Sequence, residues 1–393
     1  MSNNMLLTFN PGSSSVKIGL FEIEDCCTRR LAKGVIDFQK RPLAFRVTEG
    51  PSTFETELGA DEGADLSSVL REAFGYLAEH FDMSLVKVIG HRVVHGGDLF
   101  GGPVQLDDDA IKAIESLIPL APLHQPQSVR LIRALRQVRP DLPQAASFDT
   151  AFHRTNSDVV RRFALPRALH DQGIKRYGFH GLSYKHIANM LGRKVPELCK
   201  GKVVAAHLGS GASLCALEDG VSRDTSMGFS TLDGIPMATR CGVLDPGVVL
   251  HLLGAFKLSL AEVEDLLYHR SGLLGVSGIS ADSRVLLEDG RPEAMDAINL
   301  FTFRTAGEIG RHAATLEGLD ALVFTAGVGE NQPSIRAAIC ARLAWLGVEL
   351  DPVANAANEF RISSRTSRVA AFVIPADEEQ VIADEALAIL KES

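Results

Sequence analysis

The apolar and polar positions of the chain change period where its elements change. Residues 5–10 (MLLTFN), 16–23 (VKIGLFEI), 31–37 (LAKGVID) and 43–49 (LAFRVTE) alternate or carry β-branched and aromatic side chains between Gly, Pro and charged turns. That pattern predicts strands. Residues 67–80 instead place Val69, Leu70, Ala73, Leu77 and Ala78 on one helical face. VKVIGHRVVHGG (86–97) reads as an apolar strand entering a loop that holds His91, Arg92 and His95. Helices over 107–117 and 126–138 flank LAPLHQP, and a strand over 144–149 ends at Asp149. After the loop RYGFHGLSY (176–184), helices are expected at 245–256, 259–268 and 293–316, with strands at 319–326 and 368–375. A helix starts at Pro333, where proline suits the first turn, and another closes the chain. Strands, then helices, then strands again indicate an α/β protein with mixed sheets.

One stretch occurs twice. Residues 203–220 (VVAAHLGSGASLCALEDG) repeat the strand, Gly-Ser turn and strand of residues 6–23 (LLTFNPGSSSVKIGLFEI), with Asn10 under His207, Gly12 under Gly209 and Ser13 under Ser210. Such a duplication predicts two related domains with a boundary near residue 150. Small residues at these turns let backbone N–H groups approach an anion, so one loop per domain would grip a polyphosphate. HLGSG (207–211) and AGVGEN (326–331) are glycine loops leaving apolar strands. NPGSSSVK (10–17) lacks the Walker spacing and leads into a strand, so it is not a Walker loop.

Composition narrows the class. A chain of 393 residues, 46% hydrophobic and 23% charged, is a globular protein with room for two or three domains. Its net charge of −9 argues against a nucleic-acid surface but leaves room for a local nucleotide site. Cys26, Cys27, Cys199, Cys215, Cys241 and Cys340 show neither a CxxC pair nor ligand spacing with histidine. They read as thiols of a reducing compartment. MSNNMLLTF is no signal peptide and no window is apolar enough to span a membrane, so the expectation is a cytoplasmic protein.

Candidate chemistry gathers at loops. HRVVHGG and ATRCG surround Arg92 and Arg240 with apolar and small residues, a setting that favours a bidentate carboxylate or phosphate over plain solvation. His180 lies between glycines in GFHG, as a loop-borne functional group or a satisfied core histidine. Asn10 and Asp149 end strands, where α/β proteins hold metals and substrates, although turns and caps use the same residues. Glu378 and Glu379 open the terminal helix behind Asp377 as cap, with Gln380 completing a capping box. The helix dipole alone would account for both acids.

NPGSSSVK, GHRVVHGG, LAPLH, FDTAFH, RYGFHG, HLGSGASL, DTSMGF, TRCG, SGLLGVSG, GVGEN and IPADEE, in that order, resemble the acetate kinase family from end to end. The resemblance implies the acetate and sugar kinase/Hsp70/actin fold. That fold has duplicated ribonuclease H-like (actin-like ATPase) α/β domains, with mixed sheets flanked by helices and an ATP cleft between them. Residues 1–150 with about 376–393 would form one domain and 151–375 the other, in a homodimer. It implies reversible phosphoryl transfer from ATP to acetate with Mg2+, or Mn2+ in its place. Asn10, Asp149 and Glu378 match positions that organise the metal, Asp149 being the usual catalytic acid or base. Arg92 matches the arginine that holds the carboxylate, with Val94 and Leu123 in the apolar acyl pocket. His180 and Arg240 match the transition-state stabilisers. Lys17, His207, Leu208, Gly209, Ser210, Gly211, Asp282, Ser283, Arg284, Gly327, Val328, Gly329, Glu330 and Asn331 match ATP contacts.

A carboxylic acid with a pKa of about 4 is already anionic at neutral pH, so it needs positioning more than deprotonation. Asp149 is therefore expected to orient the metal or its waters. The sequence departs from the family at Ser210 (often Asn), Val243 (often an acid) and Tyr184 (often His, outside the expected chemistry). Thr231 in STLDG stands where a proline lines the acyl pocket. Two rivals stay open: a propionate kinase with the same residues, and a nucleotide-gated actin- or Hsp70-like binding protein. The second has no use for a carboxylate arginine beside an apolar pocket.

Overall fold

The computed structural model describes residues 4–12, 15–25, 27–38, 42–59 and 66–392. Ser13 and Ser14 of the first Gly-Ser turn, and Cys26, lie outside these residues. The chain divides into two compact units, Met1–Phe152 with Asp377–Ser393, and His153–Ala376.

The first unit is built on an eight-stranded sheet. Its strands are β1 (Met5–Pro11), β2 (Ser15–Glu24), β3 (Cys27–Asp37), β4 (Leu43–Glu49), β5 (Ser52–Leu58), β6 (Val86–Val93), β7 (Val104–Gln105) and β8 (Gln144–Phe148), in the order β5-β4-β3-β2-β1-β6-β8-β7. β5 and β7 were not expected. β5 is a mostly exposed edge strand whose STFETEL gives little apolar signal. The second unit holds β9 (Lys202–Leu208), β10 (Ala212–Glu218), β11 (Val221–Thr225), β12 (Ala321–Thr325) and β13 (Ala370–Val373), in the order β11-β10-β9-β12-β13. The sequence repeat thus appears as a repeated topology. In each unit a hairpin opens the sheet, a third strand adds antiparallel beside it, and two later strands add parallel on the far side.

Strand alternation sorts the faces of the first unit. Met5, Leu7 and Phe9 pack with Val69, Leu70, Ala73 and Leu77 of helix Leu66–His80 and with Leu131 and Leu135 of helix Gln125–Val138. Leu6 and Val88 turn the other way, onto Ala383, Ala386 and Leu387 of helix Glu378–Glu392. Period two then carries Asn10 and Arg92 to the face of that terminal helix. Gly90 makes the approach possible, since a Cβ there would stand 2.7 Å from Ile382 Cγ2.

The expected capping box is half formed. Asp377 Oδ1 accepts the Gln380 N–H at 3.1 Å, but the Gln380 side-chain amide donates instead to Thr28 Oγ1 at 2.6 Å and Asp384 Oδ1 at 3.0 Å. Two expected loops are partly helical. Helix Gly181–Lys194 begins inside RYGFHGLSY, and AGVGEN forms the short helix Ala326–Asn331.

Candidate active site

In the first unit, four strand and helix ends meet on one arginine. Arg92 grips Asp149 with its planar edge, Nε to Oδ1 at 3.0 Å and Nη2 to Oδ2 at 2.6 Å. Its Nη1 donates to Asn10 Oδ1 at 3.2 Å and Pro11 O at 3.4 Å. Asn10 Nδ2 donates onward to Glu378 Oε2 and Glu379 Oε1, both at 2.9 Å. Burial works against the Arg92 charge, yet Asp149, Glu378 and Glu379 outweigh it and hold its pKa above the ordinary arginine value. The bidentate anion that the arginine's setting called for is present, and it is Asp149. Arg30 pairs with Asp377 and lies 3.8 Å from Glu379.

The donors of this cluster are carboxylate oxygens, the hard ligands that Mg2+ takes. Among the described residues no three His, Cys, Asp or Glu side chains are grouped to hold a metal by themselves.

The second unit presents the opposite charge. His180 caps helix Gly181–Lys194 in the left-handed region, at φ 57° and ψ 24°, a conformation non-glycine residues adopt mainly at constrained sites. Its ring stacks on His207 with centroids 4.2 Å apart. A Cβ built on Gly211 would stand 3.5 Å from His180 Nε2 and 3.7 Å from Arg240 Nη1, so both side chains converge on one point above the 209–211 turn. Arg240 Nη1 contacts Thr231 O at 3.3 Å and Met237 Sδ at 3.8 Å, with no carboxylate among the described residues paired to it. Burial pushes its pKa down. A half-buried guanidinium without an anion, beside a glycine turn, is built for an anionic ligand.

Next to that point opens a cavity of about 490 Å3, lined by Gly209, Ser210, Asp282, Ser283, Arg284, Gly327, Val328 and Asn331, together with Ala238, Leu273, Ala281, Phe301 and Gln332. Its volume falls in the range of small-ligand pockets. The helix Ala326–Asn331 forms one side, entered through Ala326 at φ 64°.

The sequence model of the Acetokinase family matches residues 5–384. The chain belongs to the acetokinase family. It is 47% identical over 391 residues to the acetate kinase of Rhodopseudomonas palustris, covering 97% of both chains. With the acetate kinase of Methylocella silvestris it shares 45% over 394 residues and 98% of both. Among solved structures, a propionate kinase from Francisella tularensis superposes with a TM-score of 0.91 at 35% identity, over 98% of this chain and all of that one. The acetate kinase of Porphyromonas gingivalis gives 0.89 at 32%, with the same coverage.

Within this acetokinase, the residues expected to act divide by surroundings. Asn10, Arg92, Asp149 and Glu378 form one cluster, and Glu379, which the resemblance did not carry over as a metal position, is as close to Asn10 as Glu378 is. The adjacent acids IPADEE gave the signal, which the dipole explanation absorbed. Val94 is buried beyond the end of β6, whereas Leu123 is 39% exposed. Lys17 is exposed on β2, opposite Asn10 in register. Leu208 is fully buried core, His207 Nδ1 bonds Ser183 Oγ at 2.9 Å, and Glu330 Oε1 accepts the Ala376 N–H at 2.8 Å. A Cβ built on Gly329 would stand 3.4 Å from the Phe324 backbone, so the glycine lies close over β12. Leu273 and Phe301 escaped sequence reasoning because an apolar residue at helical spacing reads as core.

Proposed function

We propose that the protein transfers the γ-phosphoryl group of ATP reversibly to acetate, giving acetyl phosphate and ADP. What carries this reading is the uncompensated Arg240, converging with His180 on the Gly211 turn beside a nucleotide-sized cavity. Acetate is anionic at neutral pH, so the barrier lies in bringing an anion against a polyanion. Arg240 and His180 meet charge developing on the transferred group, and the Ser210 and Gly211 amides add fixed dipoles. Arg92 orients the acceptor. Its Nε–Nη2 edge is on Asp149, so acetate either accepts a hydrogen bond from Nη2 beside Asp149 or replaces that carboxylate on the fork. Asn10, Asp149, Glu378 and Glu379 would hold Mg2+, which neutralises phosphate oxygens when bound. Asp149 acts there as an orienting carboxylate, because the acceptor has no proton to surrender. Transfer is direct and in line.

The test is phosphoryl transfer from Mg-ATP with acetate, propionate and butyrate in competition, trapping acyl phosphate as hydroxamate. Acetate should give signal that Arg92→Ala and Arg240→Ala abolish. ATP hydrolysis without trapped acyl phosphate refutes the reading, and a phosphorylated side chain refutes direct transfer. A propionate-preferring enzyme is the second reading, favoured by Thr231 in place of the family's proline. One methylene discriminates by only about 10- to 200-fold, so the competition assay decides.

A second copy of the chain is the proposed partner. Helix Pro246–Gly254 buries none of its residues, and Leu250, Phe256 and Leu260 are 70%, 66% and 75% exposed. Light scattering on Leu250→Asp should show a loss of dimer. Among the described residues no helix is long and apolar enough to cross a membrane, and the reading places the enzyme in the cytoplasm.

A further inference from the structure

Behind His180 stands a pair of hydroxyls that the proposed function does not use. Ser213 Oγ, on β10, lies 2.8 Å from His180 Nδ1, and Tyr184 Oη lies 2.5 Å from the same Ser213 Oγ. Tyr184 and Ser213 are both fully buried. Tyr184 sits one helical turn beyond His180 on helix Gly181–Lys194.

The proton order follows from satisfiability. If His180 Nδ1 carried the proton, it would donate to Ser213, Ser213 would donate to Tyr184, and the phenol proton would need another acceptor. Among the described residues the side-chain acceptor offered to that proton is Ser213 Oγ. A buried O–H without an acceptor is costly. The reverse order leaves every proton placed: Tyr184 donates to Ser213, and Ser213 donates to an unprotonated Nδ1. The imidazole proton then resides on Nε2, the atom 3.5 Å from where a Cβ on Gly211 would sit.

We propose that Tyr184 and Ser213 are positioning residues that fix His180 as its Nε2–H tautomer, delivering a hydrogen-bond donor to the anion point beside Arg240. The role of that donor in transfer rests on the proposed function; the tautomer does not. The His207 ring, stacked on His180 and held through its own Nδ1 by Ser183, blocks the face-on rotation that would otherwise swap the two nitrogens. Burial keeps the Tyr184 phenol protonated by raising its pKa well above the ordinary value, so it remains a donor at any working pH.

The experiment joins a tautomer measurement to a mutant cycle. In 15N-histidine-labelled protein, long-range 15N–1H spectra should show His180 as Nε2–H, and Tyr184→Phe should convert it to a mixture or to Nδ1–H. In turnover with acetate, Tyr184→Phe should lower kcat about tenfold with the ATP KM little changed, the scale of one lost hydrogen bond. The same change in a His180→Ala background should cost nothing further, which a merely structural role would not produce. Wild-type His180 found as Nδ1–H, or a Tyr184→Phe loss that persists undiminished without His180, overturns the proposal. Absence of all acyl phosphate formation would instead overturn the proposed function, while the spectra still decide the tautomer.

Discussion

Gly211→Ala separates a glycine needed by a ligand from one needed by the fold. The added Cβ would meet His180 Nε2 at 3.5 Å and both Arg240 Nη1 and His180 Cε1 at 3.7 Å, which is ordinary van der Waals contact. Gly211 is not among the residues at positive φ, so alanine can adopt its backbone. Folding should therefore be unharmed, or improved by about 0.4–1 kcal/mol through the less flexible unfolded chain. The methyl group would, however, occupy the point on which His180 and Arg240 converge, where a phosphate oxygen would sit. Forcing one carbon into such a site costs about 1–3 kcal/mol, or roughly 5- to 150-fold in kcat/KM for ATP. The assay is hydroxamate formation against ATP concentration, with the melting temperature followed alongside. Unchanged kcat/KM at unchanged Tm would mean that the transferred phosphate lies elsewhere. A large fall in Tm would mean that the glycine serves the backbone, and the argument would fail from the other side.

Asp149→Ala should destabilise the protein by about 3 kcal/mol and abolish turnover, because it strands the Arg92 guanidinium. Urea unfolding of Asp149→Leu with Arg92→Leu should recover most of that loss while activity stays absent. Arg336, fully buried, sends five bonds to Asn355 Oδ1, Gly329 O, Glu330 O, Asn355 O and Asn358 Oδ1. Arg336→Leu should cost about 4 kcal/mol in urea unfolding and raise the ATP KM, with Arg336→Lys only partly rescuing either. His91, His95 and His153 are each pushed down to about 4 by burial, from an unfolded value of 6.5. Between those values the unfolded chain binds more protons. Stability is therefore full above pH 6.5 and falls as pH drops toward 4, by up to about 1.4 kcal/mol per pH unit per histidine. His91→Gln should flatten that slope in melting curves from pH 7.5 to 4; an unchanged slope refutes the assignment.

Sequence spacing reveals what depends on neighbours in the chain. Period two along β1 puts Asn10 on the side opposite Leu7 and Phe9, where the terminal helix meets it. Apolar surroundings marked Arg92 for a bidentate anion. They could not tell a substrate carboxylate from Asp149, because β8 reaches β6 only through the folded sheet. AGVGEN read as a loop because glycine is dense in it. It is helical, with carbonyls of Gly329 and Glu330 held by Arg336, which in the sequence resembles any solvated arginine. Glycines in motifs look alike on paper, yet a Cβ on Gly272, at φ 60°, would stand 2.1 Å from Met237 O, whereas one on Gly211 would clash with nothing in the protein itself. The first is dictated by the chain and the second by what the chain binds.

The charge distribution carries the same distinction further. In the first unit the carboxylates of Asp149, Asp377, Glu378 and Glu379 surround the guanidiniums of Arg30 and Arg92. In the second unit Arg240 has no carboxylate paired to it among the described residues, and the cluster is short of negative charge. The Arg240 charge does not benefit the unit that bears it, since an unpaired charge withdrawn from water raises the energy of the folded chain. A phosphate-bearing ligand supplies the anion that Arg240 lacks, so nucleotide should raise the temperature of thermal unfolding, and Arg240→Ala should remove most of that protection.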